Sequence, residues 1–146
     1  MRILLATSQF APEPGGVPRL LWQFCAYRPA DIELCVLSIE QLSPEAYFEF
    51  DRNAPFPIRR APLQRGNGAT SMGYTYELAG MLRRRRPDVL FSGVAYPTAI
   101  IAAMLSRFPP IPLVIYAHSE DLSLPGKAQR ALIGFALKQA VAVATP

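Results

Sequence analysis

Short, uninterrupted apolar runs alternate along this chain with stretches whose apolar residues recur at helical spacing. The runs are Arg2–Thr7 (RILLAT), Ile32–Ser38 (IELCVLS), Asp88–Ser92 (DVLFS), Pro112–Ala117 (PLVIYA) and Ala140–Ala144 (AVAVA). Each is short and bounded by turn residues, which suits a strand buried on both faces. Between them, Pro18–Tyr27 places Leu20, Leu21, Phe24 and Cys25 on one face, and Met72–Arg86 does the same with Leu78, Met81 and Leu82. Pro97–Arg107 is small and apolar, and Gly126–Gln139 carries Leu132, Ile133, Phe135, Ala136 and Leu137. These four stretches read as helices. Strands alternating with helices require a parallel sheet with right-handed crossovers. The expected fold is therefore α/β, a Rossmann-like doubly wound parallel sheet with helices on both faces. Ile39–Asn53 is less regular, although Pro44-Glu-Ala-Tyr can open a short helix. Phe56–Leu63 (FPIRRAPL) contains two prolines and suits at best an edge strand. Gln64–Ser71 (QRGNGATS) reads as a loop.

Composition narrows the function classes. A chain of 146 residues matches about one domain, and 51% hydrophobic against 18% charged residues argues against disorder. No apolar run reaches the roughly 18–20 residues of a membrane span. No small-residue cleavage site follows MRILLATSQF, so a signal peptide is not expected. Cys25 and Cys35 are too few for a disulfide scaffold and fall in apolar faces, as core residues do. With His118 the single histidine, no Cys/His zinc set exists and no metal is expected. The net charge is +4, carried by thirteen Arg against two Lys, with Arg83, Arg84, Arg85 and Arg86 adjacent. Pro87 follows at once, and cations at a helix C-terminus complement its dipole, so a solvated helix end accounts for the run. No aromatic-basic stripe accompanies it, and nucleic acid is not an expected partner.

In doubly wound sheets, ligands bind beyond the carboxyl ends of the strands, where the strand order reverses. The loop Phe10–Gly16 (FAPEPGG) lies there, before a helix expected to open at Pro18. Gly15 and Gly16 permit close backbone approach, and the helix N-terminus favours an anion. The donors would be the N–H groups of Gly16, Val17 and Arg19. The loop is neither a G-x-G-x-x-G fingerprint nor a P-loop. His118 follows the strand Pro112–Ala117 in YAHSEDL, where it can hydrogen-bond a hydroxyl or phosphate or act as acid or base. Glu120 and Asp121 can orient it, contact hydroxyls or cap the next helix. Tyr96, in SGVAYP, is either a platform for a ring or a packing residue. Ser92 and Ser119 lack the strand–turn–helix context of a nucleophile.

Three segments together resemble the N-terminal half of a family 4 glycosyltransferase with the GT-B fold. RILLATSQFAPEPGGVPRLLWQFC is similar to that family's first strand, F-x-P-x-x-G-G loop and first helix. LRRRRPDVLFSGVAYPTAIIAAML resembles its R-x-R-P-D-V strand entry and the helix after it. IPLVIYAHSEDL and AVAVATP resemble its strand-His loop and sixth strand; only Ile39–Ser71 falls outside the likeness. The resemblance implies transfer of a sugar from a nucleotide-diphosphate donor to an acceptor hydroxyl, with retention and without metal or other cofactor. It places Gly15 and Gly16 over the donor phosphates and acceptor crevice, and His118 on the transferred sugar. The family often carries a Glu shortly after the glycine pair. Here Pro18-Arg19 stand there, which would favour an anionic acceptor such as a lipid phosphate or phospho-sugar. The implied partners are a nucleotide sugar, a glycan, lipid or small-molecule acceptor, and a second, nucleotide-binding domain outside residues 1–146.

Thr145-Pro146 suits the start of a further helix, so the chain is expected to be an N-terminal domain cut before its last helix and inactive alone. The expected location is cytoplasmic, with peripheral contact on the inner membrane face through Arg83–Arg86. The competing reading is a stand-alone flavodoxin-like ligand-binding module or a membrane-peripheral interaction domain. A receiver domain is excluded because the first strand ends in Ala-Thr-Ser-Gln rather than in acids.

Overall fold

A computed structural model describes residues 1–63, 69–118 and 126–145. Six strands, β1 (Arg2–Ala6), β2 (Glu33–Ile39), β3 (Ile58–Ala61), β4 (Val89–Ser92), β5 (Leu113–Tyr116) and β6 (Ala142–Ala144), form one sheet. Its order is β3-β2-β1-β4-β5-β6, and every pairing is parallel. The helices are α1 (Gly16–Ala26), α2 (Pro44–Asn53), α3 (Ala69–Arg85), α4 (Thr98–Leu105) and α5 (Lys127–Gln139). This is the doubly wound, Rossmann-like architecture expected from the alternating runs, the form taken by one half of a GT-B fold.

Alternation along β1 divides the core into two layers. Leu4 and Ala6 face one side, where Leu37, Leu90, Leu113 and Ile115 meet Tyr74 and Leu78 of α3, Ala99 and Ala102 of α4, and Ile133 and Ala136 of α5. Leu5 faces the other side, where Leu34 and Val36 meet Leu21 and Cys25 of α1, closed by Phe10 and Phe56. Both cysteines are buried and unbridged, and burial pushes the Cys25 thiol up to about 12, as befits inert core residues. The second layer stops short. Phe91, Val114 and Tyr116 on that side of β4 and β5 are only half-buried, and all three residues of β6 are exposed. The expectation of helices on both faces is met, α3, α4 and α5 packing on one and α1 on the other.

Three boundaries differ from the sequence-based expectation. α1 opens at Gly16 rather than Pro18, so proline is the third helical residue; it still lies in the first turn, where its missing N–H costs nothing. α3 begins at Ala69, inside the segment Gln64–Ser71 expected to be a loop. β3 is the edge strand anticipated for Phe56–Leu63, paired with β2 alone, and its prolines lie outside Ile58–Ala61.

The arginine run falls at the amino edge of the sheet. Arg83, Arg84 and Arg85 close α3, and Arg86 follows at φ 45°, turning the chain into β4. All four are exposed. Arg2 is fastened to this turn. Its guanidinium lies 2.9 Å from Asp88 Oδ1, and its N–H donates to Asp88 Oδ2 at 2.7 Å. The run therefore sits at the opposite edge from the strand ends where ligands bind.

Candidate active site

The strand order reverses between β1 and β4, so the crevice opens where Ala6 and Ser92 end. Buried hydroxyls shape both turns. Thr7 Oγ1 donates to Gln9 O at 2.9 Å and accepts from Gln9 N–H at 3.3 Å. Ser92 Oγ donates to Val94 O at 2.8 Å and lies 3.2 Å from Thr98 Oγ1. Gly93 locks the turns together: its N–H donates to Ala6 O at 3.0 Å. A methyl group there would sit 2.7 Å from Leu21 Cδ1 and 3.0 Å from Thr7 Oγ1. The Ala11–Pro12 and Tyr96–Pro97 peptide bonds in these two loops are cis.

Gly15 and Gly16 sit at the exposed tip of the first loop. Gly15 adopts φ 137°, ψ 165°, a backbone region essentially restricted to glycine, and is the N-cap of α1. Among the described residues no side chain caps this helix end. The sequence expectation of three donors is corrected here. Arg19 N–H is already directed at Gly15 O, at 3.4 Å, because helix starts earlier than expected. Gly16 and Val17 are the first two residues of α1. Arg19 itself is exposed in the first turn of α1.

His118 follows β5, one strand beyond the crevice. It is half-buried, and its ring meets Tyr116 edge-on with centroids 4.6 Å apart. Ala117 just before it is tied to β6, its N–H donating to Ala144 O at 2.9 Å. Tyr96 is partly buried against the larger core layer, which favours its packing role over that of an open platform. Glu120 and Asp121, with Ser119, lie outside the described residues. The glycine turn, the β4 turn and His118 thus share the carboxyl edge, and Gly93 holds the β4 turn against the end of β1.

Sequence reasoning missed a buried polar cluster behind the glycine turn. Glu13 and Arg60 are 8% and 9% exposed. Glu13 Oε1 accepts from Tyr47 Oη at 2.9 Å and lies 4.0 Å from Arg60 Nη1. Arg60 pairs with both carboxylate oxygens of Asp51, at 3.0 and 2.7 Å, and donates to Ala11 O. Burial pushes the Glu13 carboxyl above its usual range, against the hydrogen bonds from Tyr47 and Phe10 N–H and the charge of Arg60. The only hint in the sequence was an acid inside an otherwise Pro/Gly loop. A shallow groove of about 390 Å³ between α1 and α2, lined by Trp22, Ala46, Glu49, Phe50 and Asn53, includes none of the expected site residues.

No curated protein matches the chain in sequence. The UDP-GlcNAc 2-epimerase of Methanocaldococcus jannaschii superposes with a TM-score of 0.66 at 18% identity, over 100% of this chain and 39% of the epimerase. Anabaena HepE, solved in complex with UDP and glucose, gives 0.65 at 18% identity over 96% of this chain and 37% of its own. A second structure of the M. jannaschii epimerase, with UDP-GlcNAc and UDP, gives 0.61 at 18% identity, covering 95% and 42%. The chain therefore spans about two-fifths of these structures, and at such identity the likeness speaks for the fold. A family model described as a glycosyl transferase 4-like domain matches residues 15–146. By that match, the chain belongs to the glycosyl transferase 4-like domain family.

Proposed function

We propose that this chain is the acceptor-side half of a retaining glycosyltransferase that moves a sugar from a nucleotide-diphosphate donor to an acceptor hydroxyl, without metal. The observation that carries the reading is the uncapped, glycine-built N-terminus of α1 at the strand-order reversal of a glycosyl transferase 4-like domain. Free amides and the positive end of a helix dipole stabilise phosphate charge. Two of the similar structures, solved with UDP and a sugar or UDP-sugar, support a nucleotide sugar as the ligand class. In this reading Gly15 and Gly16 approach the diphosphate and acceptor through their backbone. His118 hydrogen-bonds the transferred sugar. No side chain needs to act as a base, since retention can proceed with the leaving phosphate accepting the acceptor's proton.

Arg19, exposed one turn into α1, selects an anionic acceptor. Arg19→Ala should raise the acceptor KM of the full-length enzyme and leave the donor KM unchanged; an unchanged acceptor KM contradicts that role. The nucleotide itself is held mainly by a second domain, so residues 1–146 alone should bind sugar nucleotides weakly and transfer nothing. Titration calorimetry on the isolated chain tests this, and micromolar donor affinity would contradict it. The four exposed arginines at the amino edge support peripheral contact with anionic lipid on the cytoplasmic face. Co-sedimentation with phosphatidylserine vesicles should fall when all four are neutralised. No helix among the described residues is long and apolar enough to cross a membrane.

A further inference from the structure

Within the loop between β1 and α1 the backbone closes one turn, Glu13 N–H donating to Phe10 O at 3.2 Å. Three further groups, Ser8 O, Ala11 O and the Glu13 carboxylate, are tied to side chains arriving from the β2–α2–β3 segment. Gln41 Nε2 donates to Ser8 O at 2.7 Å, and Arg60 Nη2 donates to Ala11 O. Glu13 turns back to accept Phe10 N–H at 3.3 Å, while its other oxygen accepts Tyr47 Oη at 2.9 Å. Tyr47 Oη in turn accepts the N–H groups of Gln41 and Leu42, at 2.7 and 3.0 Å. The Arg60 guanidinium stacks 4.3 Å over the Tyr47 ring and 5.7 Å from the Phe10 ring centre. Asp51 neutralises it from α2.

This arrangement is costly. A carboxylate and a guanidinium are removed from water, and Arg60 Nη1 is buried without a hydrogen-bond partner among the described residues. Apolar residues of similar volume often stabilise such a site as well or better. What a polar network adds is one fixed geometry. Its reach ends where the chain turns out to solvent at Gly15 and Gly16.

We infer that Glu13, Tyr47 and Arg60 form a positioning clamp that sets the height and angle of the Gly15–Gly16 turn over its ligand. The inference rests on the reading of that turn as the phosphate-facing loop. The three act through the loop and touch no reacting atom. A donor phosphate would otherwise have to order the loop as it binds, and pre-ordering removes that cost.

Hydrogen exchange on the full-length protein, with and without UDP, tests the clamp. The variants are Tyr47→Phe, Glu13→Gln, Arg60→Met and the conservative Arg60→Lys. Without ligand, Tyr47→Phe and Arg60→Met should speed exchange of the amides from Gln9 to Val17 about tenfold, leaving β1 and β4 as in the wild type. Arg60→Lys and Glu13→Gln should fall between. Saturating UDP should slow exchange at Gly15, Gly16 and Val17 in the wild type, and this slowing should shrink in the loosened variants. Unchanged loop exchange in Tyr47→Phe and Arg60→Met would overturn the clamp. So would a uniform rise through the whole sheet, which marks a merely structural role. A loosened loop that UDP still protects as in the wild type would overturn the positioning role. If UDP protects nothing in the wild type while the loop still responds to the variants, the clamp on the loop stands and the phosphate-facing reading fails.

Discussion

Gly15 and Gly16 are neighbours with opposite requirements, and the difference separates folding from function. Gly15 occupies a region that L side chains avoid, and a methyl group there would also lie 3.3 Å from Pro18 Cδ. Gly15→Ala should therefore cost about 1–3 kcal/mol in chemical denaturation. At Gly16 an added methyl meets nothing within 4 Å. Gly16→Ala should leave stability unchanged or raise it by up to ~1 kcal/mol, because alanine is the better helix former, yet weaken nucleotide-sugar binding by blocking approach. Equal affinity in Gly16→Ala and wild type would remove the reason for glycine there. Gly93 is a packing glycine. Gly93→Ala forces Leu21 or Thr7 to shift and should destabilise by roughly 1–3 kcal/mol. Glu13 carries a pH signature. Its folded-state value lies above the ordinary 4.5, so the folded chain binds its proton more tightly than the unfolded chain does. That contribution is present below the ordinary value and lost as pH rises through the folded one. Glu13→Gln should therefore gain stability relative to wild type as pH rises through that window, and parallel stability curves would show that Glu13 is not buried as charge.

Strands and helices were legible in the sequence wherever one signal governed them. β1, β2, β4 and β5 are apolar runs between turn residues, and burial on both faces leaves such runs no other stable form. β3 was harder to read because IRRA has two arginines, and its outer position beside β2 allows Arg59 to reach solvent and Glu77 while Arg60 turns inward. Arg60 could not be recognised as a buried residue from FPIRRAPL, since its partners Asp51, Tyr47 and Glu13 come from two other segments. The carboxyl-edge position of Gly15, Gly16 and His118 follows from strand order, whereas the clamp behind them depends on packing between distant residues. The junction of α3 and β4 shows a local rule overridden. Arg86, rather than glycine, holds the left-handed position after the helix, at φ 45°. Arg86→Gly should raise the melting temperature, by relief of about 0.5–1 kcal/mol of strain net of glycine's added entropy. Beside it, Arg2's hydrogen bonds hold the Asp88 carboxyl below its usual 3.8, so the pair supports the fold above that pH and is lost as pH falls through the folded value. Asp88→Asn should flatten the acid limb of the stability curve.

Across the whole molecule, the two edges of the sheet carry different chemistry. The amino edge is an exposed, basic turn around Arg2, Asp88 and Arg83–Arg86. The carboxyl edge gathers a glycine turn at a helix N-terminus, a glycine-locked second turn and a histidine. Among the described residues, Phe91, Val114 and Tyr116 are half-buried and the three residues of β6 exposed. The most direct measurement is sugar transfer by the full-length protein. It would be followed as release of nucleoside diphosphate from a panel of UDP-, GDP-, ADP- and dTDP-sugars, in wild type and in His118→Ala. Loss of a sugar-facing hydrogen bond is worth roughly tenfold to a hundredfold in rate. The account predicts acceptor-dependent release from one donor class, reduced by about that factor in His118→Ala with nucleotide affinity unchanged. Release from no donor, or wild-type turnover in His118→Ala, would contradict it.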